Sequence, residues 1–166
     1  AEAAAEFDMA PGLLTRRFGV DVASVFRRLA SMPEDRCPVK VGLVACDGSG
    51  TLTFRKQVAG FALPRFGAAC PLWPLYQALS RPMAPIRAEV QLPGRPPQRF
   101  LSYAICESSQ PLDFDAPQVL EAWMLILPAP AEGTGLSPQP VGTSCRICPR
   151  RDCRARREPS ILADGF

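Results

Sequence analysis

Apolar positions along this chain switch between two periods, and the switch divides it into elements. From Asp21 onward, Val22, Val25, Phe26 and Leu29 recur at i, i+3, i+4 and i+7, the stripe that one helical face turns toward a core. Gly19 stands just ahead, where a glycine ends a preceding short helix, so LLTRRFGVDVASVFRRLASM reads as two helices around a tight turn. Next, VKVGLVAC and TLTFRKQV flank DGSG, a turn that permits positive φ, and the two flanks form a β-hairpin. PIRAEVQL, RFLSYAICE and EAWMLILPA read as three further strands, joined by PGRPP and SSQPLDFDAP. Between hairpin and third strand, CPLWPLYQALS keeps Leu72, Leu75, Tyr76 and Leu79 at helical spacing, with Pro71 and Pro74 in the first turn. The expected fold class is α+β: an antiparallel sheet of about five strands with a packed helix, an N-terminal helical hairpin and a cysteine-rich C-terminal tail.

Composition adds bounds. With 166 residues, 47% of them apolar, one core is expected. No run is long enough to span a bilayer and AEAAAEFDMA lacks the features of a signal peptide, so a soluble, cytoplasmic protein with no membrane partner is expected. The chain starts without methionine, as a piece of a longer protein would. PAPAEGTGLSPQP, residues 128–140, reads as a linker into a tail at 141–166. That tail carries the whole charge surplus: six arginines face Asp152, Glu158 and Asp164, and thirteen charges of each sign precede it. Histidine is absent, which excludes a Ser-His-Asp or Cys-His catalytic arrangement and any histidine-bearing metal site in this chain.

Cys145, Cys148 and Cys153 are spaced Cys-x2-Cys-x4-Cys. The short gap lets two thiolates reach one ion and the longer gap returns a third, a donor set for Zn2+ or an iron–sulfur cluster. A closed zinc site needs a fourth ligand. Cys70 is the first choice because it stands where the CPLW helix is expected to begin, and a helix N-terminus favours a thiolate. Cys46 is the second choice; Cys37 and Cys106 read as bystanders. The expectation is a structural zinc held by Cys70, Cys145, Cys148 and Cys153 in a metal knuckle, with an iron–sulfur cluster as the alternative. Trp73, Tyr76 and Arg146 are candidate ligand contacts, the aromatics on the helix and the arginine as a fork for phosphate.

RFGAACPLWPLYQAL and VGTSCRICPRRDCRARREP together resemble the C-terminal domain of the short-chain fatty acyl-coenzyme A regulators, a family of bacterial transcription factors. The resemblance rests on Gly67, Cys70, Pro71 and Trp73 paired with Cys145, Arg146, Cys148, Asp152 and Cys153. Residues 1–34 look like the end of the peptidase-like region that precedes that domain, leaving 35–166 as the sensor domain. The resemblance implies an Xre-type helix-turn-helix upstream that contacts DNA, control of acyl-CoA metabolism, and a short-chain acyl-CoA or related metabolite as effector of this non-enzymatic domain. A homodimer is expected, since such regulators meet paired half-sites. Two other readings stand beside this one: a redox or iron–sulfur switch, and a nucleic-acid-binding knuckle, the latter without aromatics in the tail for base stacking.

Overall fold

The computed structural model describes residues 9–33, 35–37, 39–110 and 113–162. Helix α1 (Pro11–Phe18) ends at Gly19, which takes the left-handed φ of 64° and donates its N–H to the Thr15 carbonyl at 2.9 Å. Helix α2 (Val22–Ser31) begins after Asp21, whose carboxylate accepts the Ser24 N–H at 2.6 Å and so satisfies one of the free donors of the first turn. The helical hairpin expected from the apolar stripe is present.

The DGSG turn joins β1 (Gly42–Asp47) to β2 (Leu52–Lys56). Asp47 holds the turn, accepting from Ser49 N at 2.9 Å and Thr51 N at 3.0 Å. Strands β3 (Ile86–Leu92), β4 (Gln98–Ser108) and β5 (Leu120–Pro128) match the three further segments read as strands. A sixth, β6 (Gln139–Pro140), gives the order β2-β1-β5-β4-β3-β6, all antiparallel except β3 with β6. The mixed α+β class therefore stands, with six strands where five were expected.

Strand β6 lies inside the segment read as linker. Proline and glycine hide a two-residue pairing that exists because the chain on either side is tied down. Val141 N donates to the Gln91 carbonyl at 2.9 Å, and the hydroxyl of Thr134 donates to Glu89, a carboxylate only 1% exposed that also receives Arg99 Nε. A proline is tolerable at such an edge, where no ladder donor is required.

The sheet buries both faces. Leu43, Ala45, Leu125 and Leu127 pack beneath Leu14, Phe26 and Leu29 of the helices. Their neighbours Val44, Ala122, Met124 and Ile126 turn to the opposite face, as strand alternation requires, and meet Trp73, Leu75, Ala78 and Val141. That second layer is built by helix α3, which runs only from Pro74 to Leu79. The expected start at Cys70 or Pro71 is corrected. A residue before proline is pushed out of the helical region, and Trp73, at φ −64° and ψ 139°, is extended ahead of Pro74. No helix among the described residues is long and apolar enough to cross a membrane.

Candidate functional site

Residues 70–73 and 139–145 run alongside one another over the α3 face of the sheet. Cys70 N donates to the Thr143 carbonyl at 3.0 Å, Gly142 N to Cys70 Sγ at 3.3 Å, and Gln139 Nε2 to the Leu72 carbonyl at 2.9 Å. Trp73, fully buried, donates its indole N–H to the Gly142 carbonyl at 2.8 Å. The approach at Gly142 is close: a Cβ at this position would sit 3.0 Å from Cys148 Sγ, which would have to give way.

Beyond Ser144, a single 3-10 turn (Cys145–Ile147) reverses the chain, with Cys148 N bonded to the Cys145 carbonyl at 3.3 Å. The tail then returns so that Arg157 N donates to Cys145 Sγ at 3.4 Å. Cys70, Cys145, Cys148 and Cys153 thus border one tight cleft of about 10 Å³ together with Arg150 and Arg156. All four are free thiols; the first three are buried and Cys153 is half-buried. The three cysteines named from their spacing and Cys70, named from its expected place at a helix start, thus line the same cleft.

They are not gathered as a cage. Among the described residues no three Cys, Asp or Glu converge as a ready metal site, so the finished knuckle expected from the sequence is not what the structure contains. Without a metal, Cys70 lacks the surroundings expected to favour its thiolate. Burial pushes its thiol pKa up, and the nearby Cys145 and Cys148 push the same way, against the N–H groups of Gly142 and Leu72. The helix that was to favour the anion starts four residues later and is only six residues long.

The remaining cysteines lie elsewhere. Cys46 and Cys106 are fully buried on β1 and β4, and Cys46 is pushed up to about 12 by desolvation. Cys37 is half-buried, its thiol directed to the Val39 carbonyl at 2.8 Å.

The candidate ligand contacts separate. Trp73 is core, stacked against Phe61 with ring centroids 5.3 Å apart. Arg146 is exposed on the 3-10 turn, and its carbonyl accepts the Ile161 N–H at 2.9 Å. Tyr76, half-buried, lines a cleft of about 470 Å³ between the β1–β2 turn, residues 67–69 and the tail. Arg55 and Arg157 enter the same cleft, and the Arg157 guanidinium lies 6.0 Å from the Tyr76 ring centroid. The turn's own N–H groups are occupied by Asp47, which leaves the two guanidinium groups as the cleft's cationic donors. Sequence reasoning does not name Arg55 and does not single out Arg157 from the run of tail arginines, because neither stands out among its charged neighbours without the fold that joins them.

Over 157 residues the chain is 32% identical to the propionyl-CoA carboxylase regulator of Cereibacter sphaeroides, covering 87% of this chain and 33% of that protein. It is 26% identical to the HTH-type transcriptional regulator PrpR of Mycobacterium tuberculosis, covering 90% of this chain and 33% of that one. The chain thus spans about a third of the length of the curated relatives it matches. A solved Mycobacterium tuberculosis transcriptional regulator superposes with a TM-score of 0.79 at 26% identity, over 96% of this chain and 52% of that one. These relatives are regulators of transcription and not enzymes. Residues 33–164 match the family described as short-chain fatty acyl coenzyme A regulator, C-terminal, and the chain belongs to that family.

Proposed function

We propose that this regulatory domain senses a short-chain acyl-CoA through the Tyr76 cleft and reports occupancy through its cysteine tail. One observation carries the reading: Arg157 belongs to both places. Its guanidinium lies over Tyr76 inside the cleft, while its backbone N–H donates to Cys145 Sγ. Arg55 and Arg157 supply the paired charge that the phosphates of a CoA thioester require. A ligand drawing Arg157 inward shifts the tail, and a different affinity for two tail positions is all that coupling needs. DNA contact, in this reading, is made by a helix-turn-helix outside the chain, in a homodimer.

The four cysteines form the other half of the proposal. Their all-thiolate donor set suits zinc, and two N–H···S bonds, from Gly142 and from Arg157, already orient Cys70 and Cys145 as outer-sphere donors orient metal ligands. Cys70, Cys145, Cys148 and Cys153 would hold the ion, and the chemistry it would supply is a structural cross-link between the tail and the segment at residue 70.

The test is calorimetry of propionyl-CoA against the metal-loaded chain. Arg55→Ala and Arg157→Ala are each expected to weaken binding by about tenfold to a hundredfold, the loss of one charge-assisted contact, with the melting temperature unchanged. No binding by wild type overturns the sensor reading. Elemental analysis tests the clasp separately. About one zinc, lost in Cys70→Ser and Cys148→Ser, supports it. Brown protein with visible absorption identifies an iron–sulfur cluster instead, and metal-free folded protein removes the site.

A further inference from the structure

The tail has little regular structure of its own, since the turn at Cys145–Ile147 is its one helical element among the described residues. One side chain supplies what the backbone lacks. Arg156, half-buried, donates Nη1 to the carbonyls of Cys145 at 3.3 Å and Glu158 at 3.5 Å, and Nη2 to those of Cys148 at 3.5 Å and of Arg150. Four carbonyl oxygens around one guanidinium use its planar fork as an internal template. The other tail arginines are placed differently: Arg150 reaches the Pro140 carbonyl at 2.8 Å, Arg157 covers Tyr76, and Arg146, Arg151 and Arg154 are exposed.

We infer that Arg156 is the positioning residue of the cysteine tail, winding residues 145–158 around its guanidinium so that Cys145 and Cys148 face Cys70 before any metal arrives. Two of the four carbonyls belong to the cysteines themselves, so holding those oxygens fixes the backbone torsions that direct each Sγ. The cation stands where the peptide dipoles converge, and the carbonyls, not a carboxylate, are its partners. The metal consequence rests on the four-cysteine reading given above; the ordering of the thiols rests on these hydrogen bonds alone.

The experiment measures the labelling rate of each cysteine by an aromatic disulfide reagent, resolved by mass spectrometry, in the metal-free full chain. Arg156→Ala is expected to speed labelling of Cys145 and Cys148 by about tenfold or more, the loss of at least one charge-assisted bond, while Cys46 in the sheet stays slow. Arg156→Lys is expected to behave like the alanine variant, because three donors on one nitrogen cannot span the four carbonyls. Arg154→Ala is expected to match wild type, and methylguanidinium added to Arg156→Ala is expected to restore protection. Unchanged labelling in Arg156→Ala overturns the inference, as does full protection by lysine or acceleration of Cys46 in parallel. Zinc affinity by chelator competition is then compared between wild type and Arg156→Ala. A wild type that binds no zinc defeats the clasp reading, while the labelling rates still decide the role of Arg156.

Discussion

Trp73→Ala is expected to destabilise the fold by about 3–5 kcal/mol, the range for removing a buried aromatic ring from a packed core. The indole is fully buried against Phe61, which in turn meets Phe100 edge-on at 5.2 Å. Its N–H is also the buried tie to Gly142, the residue beside which Cys148 Sγ rests. Loss of the ring therefore opens a cavity under α3 and releases the tail in one step. Trp73→Phe separates the two effects: it keeps most of the apolar contact but leaves the Gly142 carbonyl without its donor, at about 1–3 kcal/mol. Urea unfolding measures both, and thiol labelling of Cys70 and Cys148 reports the tail. An alanine variant within 1 kcal/mol of wild type, on the same transfer-plus-cavity scale, sinks the claim that this side chain joins core and tail.

The second large effect concerns Glu89. Its side chain is fully buried on β3, bonded to Arg99 from β4 and to Thr134 from the segment crossing the sheet edge. Arg99→Met leaves that carboxylate with one hydroxyl donor, and stranding a buried charge costs about 3–5 kcal/mol. Arg99 is 46% exposed, so water screens the pair and the expected loss is nearer about 2–3 kcal/mol. The double variant Glu89→Leu/Arg99→Met is expected to recover most of it, because a matched apolar pair carries no desolvation penalty. Thermal melts of the two singles and the double form the cycle. A double variant as unstable as Arg99→Met shows that the stranded Glu89 carboxylate is not the source of the loss.

Much of the secondary structure was legible because it is local. The period of 3.6 in α2, the apolar and β-branched runs of β3, β4 and β5, and the glycines at DGSG each act within a few residues. Where the reading slipped, a nonlocal partner or a competing local rule decided. Helix α3 begins at Pro74 because that proline forces Trp73 extended, a rule that outweighed the apolar spacing starting at Leu72. Strand β6 exists because Val141, Thr134 and Gln139 are each tied to residues more than forty positions away.

What the sequence by itself determined is the helical hairpin and five of the strands, the neutral body with its cationic tail, and the close set of Cys145, Cys148 and Cys153. Hydrophobic period and cysteine spacing act along the chain and can be read there. Tertiary structure decided that β1 lies beside β5, that CPLW and VGTSC pair backbone to backbone, and that the four thiols share a cleft without converging on a point. It alone sorted the tail arginines, sending Arg157 to Tyr76 and Arg156 to four carbonyls. Side chains of one type in one run are equivalent in sequence, and only the positions of distant carbonyls and rings, set by packing, give each a different role.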